Sequence, residues 1–140
     1  MAKTVLIVDD DPDQHVLLGL YLEHAGYTVQ HAYDGAEGYT AAASAHPALV
    51  LLDMRMPRTD GEHAFQQLRA DPETREIPVV AVTADVLTWP ESRSLREGFA
   101  GHVTKPCDLS RIRDVVWRII GAPDVAGVPR RAPFVAAAMH

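Results

Sequence analysis

Thr4-Val5-Leu6-Ile7-Val8-Asp9-Asp10-Asp11-Pro12 is the stretch on which the fold turns. Five residues of β-branched and apolar character run without alternation, as in a strand covered on both faces of a parallel sheet. Three acids follow at once, and then a helix start: Asp11 suits the N-cap, Pro12 the first helical position, and Gly26 lies just past the last turn. The same beat recurs downstream. Thr28 to Ala32 reads as strand, Gly35 to Ala45 as helix and Ala48 to Leu52 as strand. Asp60-Gly61 opens a helix to about Ala70, Ile77 to Val82 is the fourth strand, and Pro90 begins a fourth helix ending near Gly98. A weaker strand, Gly101 to Thr104, follows, and Leu109, Ile112, Val115, Val116, Ile119 and Ile120 recur at helical spacing as the apolar stripe of a closing helix.

Five strands alternating with five helices imply right-handed crossovers and a parallel sheet with helices on both faces, a doubly wound α/β architecture. The 140 residues suit one domain over 1–121 with a Pro/Ala-rich tail over 122–140. With 47% hydrophobic residues and a mean hydropathy of −0.07, the chain can build a core without metal or disulfide staples. A single cysteine, Cys107, allows neither an internal disulfide nor a structural zinc site and fits a reducing cytoplasm. The formal charge of −6 argues against direct binding to DNA, and no apolar run approaches the roughly 20 residues that span a bilayer.

Ligands of such sheets sit beyond the carboxyl ends of the strands. There the sequence places Asp9, Asp10 and Asp11, then Asp53, then Thr83 and Ala84, then Lys105 and Pro106. If the first and third strands are neighbours, in the order 2-1-3-4-5, Asp9, Asp10 and Asp53 converge. Like charges so close raise one another's pKa unless a cation intervenes, and Mg²⁺, which takes a few carboxylate or carbonyl oxygens and keeps several waters, is the natural resolution.

This constellation resembles the receiver domain of two-component response regulators over about residues 3 to 121. The matching stretches are Val5 to Asp11, Leu51-Leu52-Asp53-Met54-Arg55-Met56-Pro57, Asp60-Gly61, Val82-Thr83-Ala84 and Gly101-His102-Val103-Thr104-Lys105-Pro106, in the family's order. The resemblance implies a flavodoxin-like (βα)5 fold and Asp53 as the phosphoacceptor. It implies that Asp9 and Asp10 hold Mg²⁺ with Asp53 and the backbone carbonyl of Arg55, and that Thr83 and Lys105 engage the phosphoryl oxygens. It further implies a cis peptide before Pro106 and, at His102, a side chain that switches between exposed and buried rotamers. The donor would be a phosphohistidine on a sensor histidine kinase or histidine phosphotransfer protein, and the output a changed surface around the fourth helix and fifth strand that contacts a downstream protein. On this reading the chain is a stand-alone cytoplasmic signalling protein that catalyses its own phosphorylation and dephosphorylation rather than an enzyme acting on a separate substrate.

Arg55 and Asp85 stand two residues beyond Asp53 and Thr83 and are expected to pair across the mouth of the site, slowing attack by water. Trp89 precedes Pro90, which delays the fourth helix and leaves Trp89 in a loop, as a partner anchor or tucked into its own loop. Trp117 falls away from the last helix's apolar stripe and is expected to face outward. His15, His24, His31, His46, His63 and His140 lack ligand spacing and read as surface residues. Three other readings compete. An aspartate-nucleophile phosphatase of the haloacid dehalogenase type would use Asp9 and leave Asp53 without a role. A flavin-binding protein would need glycine and hydroxyl donors where the first loop carries acids. A pseudo-receiver would bind partners without phosphorylation.

Overall fold

The computed structural model describes residues 3–56 and 61–123. Pro57, Asp60 and the tail from residue 124, including Phe134 to Met139, lie outside the described residues. Strands β1 (Thr4–Val8), β2 (Thr28–Ala32), β3 (Leu49–Asp53), β4 (Val79–Thr83) and β5 (Gly101–Thr104) alternate with helices α1 (Pro12–His24), α2 (Gly35–Ala45), α3 (Gly61–Ala70), α4 (Glu91–Arg96) and α5 (Leu109–Ile120). All ladders are parallel and the order is β2-β1-β3-β4-β5. The chain order therefore reverses direction between β1 and β3, and this opens a crevice at their carboxyl ends.

Alternation along the strands splits the core in two. Leu6, Val8, Val50, Leu52 and Ala81 face a cluster with Ala42, Ala64, Phe65 and Leu68 of α2 and α3. Val5, Ile7, Leu49, Leu51, Val80, Val82 and Val103 face Leu18 and Leu22 of α1 and Ile112, Val115 and Val116 of α5. Both faces of the central strands are thus dry, which explains their unbroken apolar character.

The caps follow local chemistry. Asp11 accepts the Asp13 N–H at 2.9 Å with Pro12 in the first turn, and Gly26 takes φ 109° after the helix. Asp34 and Glu37 cap α2 reciprocally, the Glu37 N–H donating to Asp34 Oδ1 at 2.8 Å and the Tyr33 N–H to Glu37 Oε1 at 2.9 Å. Asp108 caps α5. Gly61 admits no side chain: a Cβ there would stand 2.6 Å from Met54 Cα and 2.7 Å from the Asp53 carbonyl oxygen.

Three expectations need correction. The third strand runs one residue further than Ala48–Leu52, because Asp53 itself pairs with Val82 in the ladder. The fourth strand begins at Val79 rather than Ile77, since Pro78 has no N–H to give and only its carbonyl serves the sheet, accepting from Val50 at 3.0 Å. The fourth helix begins at Glu91 and stops at Arg96, short of Gly98. Of the two readings of Trp89 the tucked one holds: the ring is buried, edge-on to Phe99 at 5.8 Å and beneath the Arg93 guanidinium at 3.8 Å. That packing removes it as an exposed anchor. Trp117 is partly buried.

Candidate functional site

The carboxyl ends of β1, β3 and β5 bring Asp9, Asp10, Asp53 and Lys105 to one open cleft of about 640 Å³, lined also by Asp11, Pro12, Arg55 and Ala84. Asp9 and Asp53 are buried while Asp10 is exposed, and one oxygen from each of the three carboxylates lies within 4.8 Å of the others. Lys105 reaches across from β5, its Nζ 2.9 Å from Asp9 Oδ2 and 3.3 Å from Asp53 Oδ2. The Lys105–Pro106 peptide is cis, as the resemblance implied. Backbone donors hold the acids as well: Asp11 N–H donates to Asp9 Oδ1 at 2.9 Å, and Arg55 N–H to Asp53 Oδ1 at 3.1 Å.

Burial pushes the Asp53 carboxyl up from 3.8 to about 6, against the Arg55 N–H, which stabilises its charge; the neighbouring Asp9 adds to the rise and Lys105 opposes it. Burial alone would lower Lys105, yet the Asp9 hydrogen bond and the charges of Asp53 and Asp9 outweigh it, and its pKa is raised. Lys105 and the exposed Arg55 stand against the four carboxylates of Asp9, Asp10, Asp11 and Asp53, leaving the cleft an excess of negative charge. The ligand atoms on offer are all oxygens, Asp10 is open to solvent, and such a set fits a small hard divalent cation that retains waters.

Thr83 is fully buried at the end of β4; its Oγ1 accepts the Asp85 N–H at 2.9 Å, which leaves the hydroxyl proton available to donate. Arg55 and Asp85 pair at the cleft mouth as expected, Nη1 to Oδ2 at 3.0 Å, with Arg55 exposed. Hydrogen bonds from Thr88 hold Asp85 below the usual carboxylate range, and Arg55 helps. His102 points inward, buried, with Nδ1 2.9 Å from Ser94 Oγ, and burial lowers its pKa.

The reading of the remaining histidines as surface groups fails at His15. It is 3% exposed, its Nε2 lies 2.7 Å from the Asp9 carbonyl oxygen and its Nδ1 2.7 Å from Nδ1 of His31. The signal was present: His15, Leu18 and Leu22 share the buried face of α1 at helical spacing. A search for metal-ligand spacing passes over a histidine whose partners are a carbonyl and a second ring. His31 is exposed as read, on edge strand β2, and His140 lies outside the described residues.

Comparisons with known proteins agree with this geometry. The chain is 37% identical over 126 residues to the DNA-binding dual master transcriptional regulator RpaA of Synechocystis, covering 87% of this chain and 52% of that protein. It thus spans about half the length of that relative. It is 31% identical over 121 residues to the polar-differentiation response regulator DivK of Brucella ovis, covering 86% of this chain and 98% of DivK. Among solved structures, a response regulator from Chloroflexus aurantiacus superposes with a TM-score of 0.79 at 28% identity, over 86% of this chain and 98% of that one. The receiver domain of a sensor histidine kinase from Pseudomonas aeruginosa, solved with a magnesium ion coordinated in its active-site cleft, gives 0.78 at 27% identity, over 87% of this chain and all of that one. No helix among the described residues is long and apolar enough to cross a membrane. Residues 5–117 match the response regulator receiver domain, and the chain belongs to that family.

Proposed function

We propose that this chain is a cytoplasmic receiver that takes a phosphoryl group from a phosphohistidine onto Asp53 and signals through the altered protein surface. The observation that carries this reading is the convergence of Asp53, Asp9, Asp10 and Lys105 on one cleft, with Lys105 bridging the two buried acids. An oxygen of the Asp53 carboxylate attacks phosphorus as the P–N bond to the donor imidazole breaks; the imidazole leaves, gains a proton from solvent, and the acyl phosphate remains on the chain. The transition state is loose, so most of the catalysis is positioning and charge.

Each residue has a part. Arg55 N–H and Lys105 fix the two oxygens of Asp53. The Lys105 ammonium and the Thr83 hydroxyl proton stand ready to meet phosphoryl oxygens. Asp9, Asp10, Asp53 and the Arg55 carbonyl would hold Mg²⁺, which when bound supplies positive charge to the transferring group. The product carries about −2 charge and three acceptor oxygens; drawing Thr83 toward them alters the β4–α4 segment and, next to it, the α4–β5 surface, where Ser94 of α4 and His102 of β5 pack together. A sensor kinase or phosphotransfer protein is the donor partner, and a protein docking near α4 and β5 the recipient.

Intact mass after incubation with Mg²⁺ and acetyl phosphate tests the reading. One phosphoryl adduct is expected on the wild type, none on Asp53→Ala, and none on either protein with the cation chelated. A wild type without adduct would point instead to a pseudo-receiver.

A further inference from the structure

The mechanism above gives no task to His15 and His31, yet they form a continuous hydrogen-bonded line from the surface to the acidic loop. A carbonyl only accepts, so His15 carries its proton on Nε2 and donates to Asp9 O. In a neutral ring His15 Nδ1 is then an acceptor, and His31 must donate from its own Nδ1. Tyr33 packs on the His15 ring with centroids 4.2 Å apart. His31 lies over Gly19, where a Cβ would stand 3.0 Å from its Cε1, so the bare glycine makes room for the ring.

The bond from His15 falls on the peptide that leads from Asp9 to Asp10, and Asp10 is the acid with least support of its own. Asp9 is held by its N–H to the Ala32 carbonyl at 3.1 Å and by both carboxylate oxygens. The exposed Asp10 carboxylate has no hydrogen bond or ion pair among the described residues, so backbone geometry alone places it beside Asp9 and Asp53. The Asp9–Asp10 peptide sets that geometry, and His15 holds its carbonyl. We infer that His15, locked by His31, is the positioning residue that fixes the Asp9–Asp10 peptide and thereby preorganises the carboxylate pair for a divalent cation. The clause about the cation rests on the reading given under Proposed function; the fixed peptide does not.

Two measurements on the full chain separate these parts: titration with Mg²⁺ alone, and amide exchange at Asp10 and Asp11. His15→Leu is expected to weaken Mg²⁺ binding about tenfold, the lower end of what losing an outer support of a metal site costs. It should also speed exchange at the two amides with little change elsewhere. His15→Gln, whose terminal NH₂ can still reach Asp9 O, is expected to recover binding to within about threefold of wild type. His31→Ala, at an exposed edge, leaves His15 in place but unlocked and should fall between them. A folded His15→Leu protein with wild-type Mg²⁺ affinity and wild-type exchange, or a Gln variant no better than Leu, would overturn the inference. Wild type that fails to bind Mg²⁺ while exchange rises in His15→Leu would support the brace and refute the cation reading.

Discussion

Replacing Asp53 by asparagine should make the protein more stable, and by an amount that depends on pH. The wild-type carboxyl is 5% exposed, lies beside the buried Asp9, and has its pKa raised from 3.8 to about 6. Between those values the folded protein binds a proton that the unfolded chain releases. Wild-type stability therefore falls as pH rises through this window and stays lower above it. Two units correspond to about 3 kcal/mol, and asparagine keeps the shape without the charge. Allowing for the desolvation of the new amide, the gain at pH 7.5 is about 1–3 kcal/mol, or roughly 3–9 °C in thermal midpoint for a domain of this size. The assay is urea unfolding of both proteins without divalent cations at several pH values between 4 and 8. The gap should be wide above pH 6 and close toward pH 4. Equal stabilities at pH 7.5, or a gap that does not narrow in acid, would refute the claim that Asp53 is held against its preference for solvent.

Four further outcomes follow from the same geometry. Carboxyl-carbon NMR should show Asp53 titrating near 6 in cation-free buffer and moving to lower pH when Mg²⁺ is added; a midpoint insensitive to Mg²⁺ would count against cation binding at this acid. Gly61→Ala should cost about 1–3 kcal/mol in denaturant unfolding, because its Cβ would strike the backbone of Met54 and Asp53, which cannot swing aside as a side-chain tip can. Removing either side of the pair at the cleft mouth, by Arg55→Ala or Asp85→Ala, should speed loss of the phosphoryl group about two- to fivefold, a modest change because the pair is exposed and screened by solvent; unchanged dephosphorylation in both would end the gating idea. Lys105→Met leaves Asp9 and Asp53 buried without their shared cation, so the Asp53 midpoint should rise above the wild-type value in the same NMR titration.

What could be read in the sequence was whatever the strand pattern dictates. Runs such as Val5 to Val8 and Leu49 to Leu52 have no polar face, so they belong in the middle of a covered parallel sheet, and the first polar residue after each run stands at the sheet's carboxyl edge. That is why Asp9, Asp53, Thr83 and Lys105 are legible as a group in the sequence. The cap of α1 was legible for a similar reason, since Asp11 and Pro12 act within one turn.

Contacts between distant segments were harder to see. His15 meets His31 because β1 and β2 pair with Ile7 opposite His31 and because Gly19 leaves space above α1. Neither fact follows from the local pattern around a histidine. Trp89 looked available as a loop aromatic; its burial depends on Phe99, beyond α4, and on Arg93 closing over the ring. Ser94 and His102 are each unremarkable singly and become a buried hydrogen-bonded pair only when α4 lies on β5. The misplaced ends of β3 and β4 have a simpler cause, because apolar content marks where a strand is covered and the ladder marks where it is paired.

The central claim is that Asp53, and no other acid in the cleft, receives the phosphoryl group. Its most direct test is to treat the protein with acetyl phosphate and Mg²⁺, reduce with borohydride, which converts an aspartyl phosphate to homoserine, and locate the altered residue by peptide mass. Homoserine at position 53 alone is the predicted result. Homoserine at position 9, with residue 53 unaltered, would contradict the account and favour the aspartate-nucleophile phosphatase reading.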